Sequence, residues 1–288
     1  MSTLFALDTW FYNSLGSYPF EAKCEILAET GFDGVNLTLW SEESWADVSR
    51  IASVRDSFGI DVTGVYTSIA DDHDNEGIRR IHDLIDTMED CSTIDLAVLG
   101  SSSASANSDA AGDAAVLPVI ERLTRAAAER GIVLSLYHHI NSWMETLGDA
   151  QRLRAAIDAP NLKLTFSSHH WYLTDGRRPR PTIEAVVPHL SAANFCGSRR
   201  VPSDNGTAAT IELLDEGEQD NFYLIGLLKN AGFEGPIGIQ GFSMGGDVYS
   251  KLRRSAAAFR DIEARIEAHP SWLDFRADPI PSARDERA

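Results

Sequence analysis

The sequence predicts a single (β/α)8 TIM barrel of the α/β class, and three observations carry that prediction. Short apolar strands alternate with helical stretches, the alternation repeats eight times, and no glycine-rich GxGxxG turn follows the first strand as it would in a dinucleotide-binding doubly wound sheet. Eight parallel strands at this spacing close most naturally into a barrel, with ligands gathered at the carboxyl ends of the strands. With 288 residues and 43% apolar content the chain can bury one large core. Residues 1–288 are therefore read as one domain, with about 270–288 a proline- and charge-rich tail, packed on the surface or frayed.

The elements follow in order. "LFALDTWF" (Leu4 to Phe11) reads as the first strand, and "PFEAKCEILAET" as a helix with proline in its first turn and Gly31 at its end. "GVNLTLW" (Gly34 to Trp40) precedes the helix "EESWADVSRIASVRDSFG", and "DVTGVYTSI" (Asp61 to Ile69) precedes "NEGIRRIHDLIDTMED". "IDLAVLGSS" (Ile94 to Ser102) leads through a Ser/Ala/Gly-rich loop to "AVLPVIERLTRAAAERG". "IVLSLYHH" (Ile132 to His139), "LKLTFSSHHW" (Leu162 to Trp171), "LSAANFCG" (Leu190 to Gly197) and "PIGIQGF" (Pro236 to Phe242) are the remaining strands, the last followed by a long helix from about Gly246 to Ala268. Two segments break the rhythm, Ser101 to Asp113 and Gly197 to Asp220. Both fall on the expected ligand face, where long loops are often lids.

Charge and cysteine usage narrow the function. Against 43 acidic residues stand 25 basic ones, a formal charge of −18, so no phosphate-neutralising surface for nucleic acid is expected. Cys24, Cys91 and Cys196 are odd in number and lack CxxC spacing, which suits a reducing compartment and argues against a cysteine zinc site. No basic leader and no apolar run of about 18 residues is present, so a cytoplasmic protein without a membrane partner is expected.

Residues two apart in a strand share a face. If Tyr137 points into the barrel, so do Ser135 and His139, and the inward sets of the next strands become Thr165/Ser167, Ala192/Asn194/Cys196 and Gly238/Gln240. That ring is polar and nearly uncharged, which suits a neutral polyhydroxylated ligand. Trp10, Trp40, Trp143 and Trp171, each near a strand end, can stack on a sugar ring or simply pack the barrel rim. Asp8 is the one inward carboxylate this reading places, a partner for a histidine or sugar hydroxyl or else a loop anchor. His138 and His169 alternate outward as structural residues.

The succession "GFDGVNL", "GIVLSLYHH", "NLKLTFSSHHW" with "YLTDG", "HLSAANF" and "LLKNAGFEGPIGIQGF" resembles the sugar phosphate isomerase/epimerase family, the xylose-isomerase-like barrels, over nearly the whole chain. The resemblance implies an isomerase or epimerase acting on a small carbohydrate. It also implies a homo-oligomer, since relatives are often dimers or tetramers, although no sequence feature locates an interface. Metal-dependent members hold a divalent ion with glutamate, aspartate, histidine and glutamate on strands five to eight; the matching positions here are Tyr137, Ser167, Asn194 and Gln240, none of which is a ligand of that type. No cofactor is expected on this pattern, and a divalent metal stays open only through a set rebuilt from Asp8, His139 and His170.

What the resemblance retains is His170, a substrate-contacting position in metal-dependent relatives, and His139, also common in the family. Arg200 falls where some relatives bind substrate, or it is an exposed loop arginine. His139 or His170 is then the candidate general base, with Tyr137, Ser167, Asn194 and Gln240 as hydrogen-bonding partners of the substrate. Two accounts stand: a metal-independent carbohydrate isomerase, epimerase or lyase, and a non-catalytic sugar-binding or regulatory protein that kept the pocket and lost the chemistry.

Overall fold

The computed structural model describes residues 2–70, 75–100, 108–202 and 208–274. Eight strands, β1 (Leu4–Leu7), β2 (Gly34–Thr38), β3 (Asp61–Ala70), β4 (Thr93–Leu99), β5 (Val133–Tyr137), β6 (Leu162–Ser167), β7 (Leu190–Phe195) and β8 (Ile237–Ile239), pair in parallel and close when β1 meets both β2 and β8. Alternation along each strand divides the core in two. Leu4 and Ala6 join the large apolar layer beneath the helices, whereas Phe5 and Leu7 meet Ala192 in a small cluster inside the barrel.

The rest of the interior is polar. Asn36 on β2 donates to Asp95 on β4 at 2.8 Å, and the Thr165 hydroxyl on β6 donates to the same carboxylate at 2.5 Å. Neither strand neighbours β4, so these bonds cross the barrel. Thr165 and Ser135 share a further hydrogen bond of 2.8 Å. Branched apolar side chains usually fill such layers; here a hydrogen-bonded set drawn from alternate strands takes their place. Gly64 makes room for it, since a Cβ there would stand 2.8 Å from the Asn36 amide nitrogen.

The helices begin and end as their caps dictate. Phe20–Thr30 stops at Gly31 in the left-handed region, Leu147–Ile157 opens with a Thr146/Asp149 capping box, and Val248–Ala268 starts from Asp247. The expected helix after β2 is instead three pieces, Glu42–Ala46, a 3-10 stretch Asp47–Ser53, and Val54–Phe58. Ser49 and Ser53 hydroxyls bond the carbonyls three residues back, which tightens the turn.

Two departures matter for the site. The sixth strand stops at Ser167, where its ladder with β7 ends at Asn194, and the chain turns at once into the helix Ser168–Thr174. The segment after β7 is an antiparallel ribbon, Gly197–Val201 with Ala208–Glu212, held at its base by buried Leu213 and Leu214 and by Gln219 donating to the Ser168 carbonyl. Its tip, 203–207, lies outside the described residues, as does 101–107 of the loop after β4. The tail begins with a 3-10 turn, Pro270–Leu273, whose Leu273 is buried; 275–288 lies outside the described residues. Among the described residues no helix is long and apolar enough to cross a membrane.

Candidate active site

The four side chains at the carboxyl ends of β5 to β8 converge. Ser167 donates to Gln240 Oε1 at 3.4 Å, and the Ser167 and Asn194 side chains hydrogen-bond the Tyr137 oxygen. All four residues are buried. Burial raises the Tyr137 phenol above its ordinary range against those hydrogen bonds, so it stays neutral. Above this floor lies a cavity of about 350 Å³. Thr38, Tyr66, Tyr137 and Gln240 form its base, with Thr9 beside them; His139, His169 and His170 form one wall; Leu7, Trp40, Ile140, Ile211 and Phe242 form the remainder. No charged residue is among these lining groups.

One peptide orders the histidine wall. His139 Nδ1 lies 2.7 Å from the Ile140 carbonyl oxygen, which can only accept, so the ring proton sits on Nδ1 and Nε2 is a bare lone pair. The Ile140 N–H points to His170 Nδ1 at 3.5 Å, which leaves the His170 proton on Nε2, a buried donor without a partner among the described residues. The two ring centroids are 4.0 Å apart. Burial lowers the pKa of His139, and burial together with the neighbouring histidines lowers that of His170 well below the ordinary value; both rings are neutral at pH 7.

The other two histidines differ. His138 accepts from the Ser167 N–H at 3.3 Å and is held down to about 3 by burial, a structural bridge between β5 and β6. His169, expected to face outward, lines the cavity instead and shares a 2.8 Å hydrogen bond with Ser198 of the ribbon. The expectation failed because it continued strand alternation into what is a helix.

Five sequence candidates fall elsewhere. Asp8 accepts from Lys23 Nζ at 2.8 Å and from the Thr38 N–H at 2.9 Å, so it anchors a loop rather than facing ligand. The Trp10 indole donates to the Ile239 carbonyl at 2.9 Å, Trp143 is wholly buried, and Trp171 packs on Phe166. Burying a large apolar ring beneath the rim outweighs leaving it in the pocket. Arg200 lies against the Tyr172 ring and donates to the Tyr172 carbonyl at 2.6 Å, lining a separate surface cleft. Of the four tryptophans near strand ends, Trp40 is the one that reaches the cavity.

Tyr66 and Asp95 were readable but unread. Alternation places Tyr66 with Gly64 on the inner face of β3, and Asp95 opposite the outward Ile94 and Leu96, so period two is the signal that finds both. Burial pushes Asp95 up to about 6, with the hydrogen bonds from Thr165 and Asn36 pulling the other way. An unfolded aspartate titrates near 3.9. Because the folded value is the higher, the protonated form is favoured by folding: that contribution is complete below about pH 4 and lost as pH rises through 6, a cost of about 3 kcal/mol at neutrality. Asp95→Asn is expected to be at least as stable as the parent at pH 7 and to flatten the difference between pH 4 and 7 in urea titrations. Asn36 Oδ1, which has no partner among the described residues, offers the new amide an acceptor. A parallel pH dependence in both proteins would refute this.

A closed parallel barrel with a cavity at the carboxyl ends of its strands defines the class, a (β/α)8 barrel protein. The chain belongs to the xylose isomerase-like TIM barrel family, whose model matches residues 24–273. Among solved structures it is similar to an L-ribulose 3-epimerase, at 13% identity and a TM-score of 0.73, covering 97% of this chain and 100% of that one. It is also similar to the IOLI protein with a bound zinc atom, at 14% identity and a TM-score of 0.72, covering 92% and 98%. A third likeness is to a xylose isomerase-like TIM barrel/4-hydroxyphenylpyruvate dioxygenase fusion protein, at 14% identity and a TM-score of 0.74; it covers 98% of this chain, which spans 45% of that protein's length. No curated protein sequence matches the chain.

A divalent ion of the kind metal-dependent relatives carry does not fit this site. A phenol, a hydroxyl and two carboxamides, already bonded among themselves, offer no anionic oxygen to offset lost hydration. Nor are Asp8, His139 and His170 brought together: among the described residues no three His, Cys, Asp or Glu side chains are placed to hold a metal.

Proposed function

We propose that the protein moves a proton at a carbon beside a carbonyl in a small neutral sugar or keto-sugar, an isomerase or epimerase reaction run without a divalent ion. The observation that carries this reading is the Ile140 peptide, which leaves Nε2 of His139 a bare lone pair and Nε2 of His170 protonated, in two residues that both line the cavity. His139 Nε2 accepts the proton from carbon, and the carbon–hydrogen electron pair moves into the enolate. His170 Nε2–H and the Gln240 amide, whose oxygen is taken by Ser167, donate to the developing oxyanion. Imidazolium His139 then returns the proton to the neighbouring carbon as the hydroxyl proton of the carbon first deprotonated passes to the oxyanion, which leaves the carbonyl one carbon along and restores neutral His139. Nucleic acid is not a fitting ligand for a small cavity whose lining, among the described residues, bears no charge.

The test is solvent exchange. A panel of aldoses, ketoses and keto-sugars incubated in D2O is expected to include one that gains carbon-bound deuterium in the presence of the protein, read by mass spectrometry. Tight binding without exchange across the panel supports the second reading, a sugar-binding protein; the neutral floor of Tyr137, Ser167, Asn194 and Gln240 favours it, because phenol, hydroxyl and amide groups can hold sugar hydroxyls without supplying an acid or a base. The metal claim has its own measurement. After loading with Mn²⁺, Co²⁺ and Zn²⁺ and dialysis, well under one ion per chain is expected by mass spectrometry, and near-stoichiometric retention would overturn it.

A further inference from the structure

We infer that the mouth of the cavity is a subsite for a flat apolar group carried by the ligand, so that the protein takes a neutral sugar bearing an aryl-type aglycone in preference to the free sugar or a sugar phosphate. This rests on the sugar reading above and adds a specificity to it. Trp40 and Phe242 are 51% and 46% exposed, yet both also line the cavity. Their rings stand at 85° with centroids 5.8 Å apart, forming a corner in which a flat ring can stack on one face while its edge meets the other. Tyr12 backs Trp40 at 5.8 Å, and Lys23 lies over the Tyr12 ring at 4.6 Å, so the corner is buttressed before any ligand arrives.

Polarity sorts the rest. Hydrogen-bonding groups occupy the floor and the histidine wall, whereas Ile140 and Ile211 join Trp40 and Phe242 in the apolar part of the lining. A hydroxylated ring seated between them would give up water without replacement, at a cost for each unmatched hydroxyl; an apolar ring gains by the same transfer. Among the described residues phosphate finds no cation here. Lys23 is committed to Asp8, Arg200 serves Tyr172 outside the cavity, and no charged side chain is among the lining groups.

The experiment uses the full chain and isothermal titration with glucose, phenyl β-glucoside and glucose 6-phosphate. Phenyl glucoside is expected to bind at least ~10-fold more tightly than glucose. In Trp40→Ala/Phe242→Ala that advantage is expected to fall below ~3-fold while glucose affinity stays within ~3-fold, since the corner is separate from the floor. Equal binding of the two sugars, a preference that survives the double substitution, or tightest binding of the phosphate would each overturn the subsite. So would a dimer, by sedimentation, that buries Trp40 and dissociates in the variant. His139→Ala is expected to keep the phenyl preference, so a failure of the proton-transfer reading shows in deuterium exchange and leaves the subsite standing. If neither sugar binds, the sugar reading falls; p-cresol alone then tests the corner, and its failure to bind overturns the subsite.

Discussion

Replacing His139 with alanine is expected to lower turnover by about 10²–10⁴-fold, the range that a positioned general base supplies. The loss should fall on kcat, with KM within a few-fold, because Tyr137, Gln240 and the rim still bind the ligand. Solvent-deuterium incorporation into the substrate found by exchange screening gives the rate. The pH profile adds a signature that a packing role would not produce. On the proposed mechanism the active form is neutral imidazole, and burial holds its pKa below the ordinary 6.5 or so, so the wild-type rate should stay level through pH 6.5 on descending from neutrality and fall only below it. Unchanged exchange in His139→Ala would end its role as base. His170→Gln, which keeps an N–H donor near the same wall, should cost less than His170→Ala if His170 acts by hydrogen bonding.

The largest expected loss of stability comes from Asp8→Ala. Lys23 Nζ and Asp8 Oδ2 are 2.8 Å apart with almost no exposure on either side chain. Burial opposes the Lys23 charge, but the Asp8 carboxylate outweighs it and holds the ammonium above the ordinary lysine range. Removing the carboxylate leaves a buried cation facing the Tyr12 oxygen at 3.5 Å and strips the Thr38 N–H of its acceptor. A loss of about 3–5 kcal/mol is expected in urea denaturation, the range for breaking a buried pair from one side. Adding Lys23→Met should recover much of it, because the stranded charge is the main cost. A loss below about 1 kcal/mol in the single variant would show that the pair is solvated in solution.

The barrel was legible because its evidence is local and repeated. Eight apolar strands, proline and glycine at the ends of the first helix, and an Asp247 cap on the last are readable in stretches of a few residues, and each unit corroborates the next. Period-two alternation carries this further, bringing Tyr137, Ser167, Asn194 and Gln240 to one level from residue order alone. The same rule misplaced His169, where strand became helix without a glycine or proline to mark the change.

The tryptophans, Asp8 and the rim show where local reading ends. Trp40 and Trp143 are both aromatic residues just beyond a strand, yet one is half-exposed at the cavity and the other has no exposed surface at all. Nothing within a few residues separates them, since burial depends on what distant segments bring against each ring. Asp8 found Lys23 fifteen positions away, Asp95 found Thr165 seventy positions away, and Ile211 reached the cavity from the ribbon after β7. Periodicity and capping act along the chain and so can be read from residue order; pairing of charges, filling of space and closure of a pocket act across it and are decided when the barrel closes.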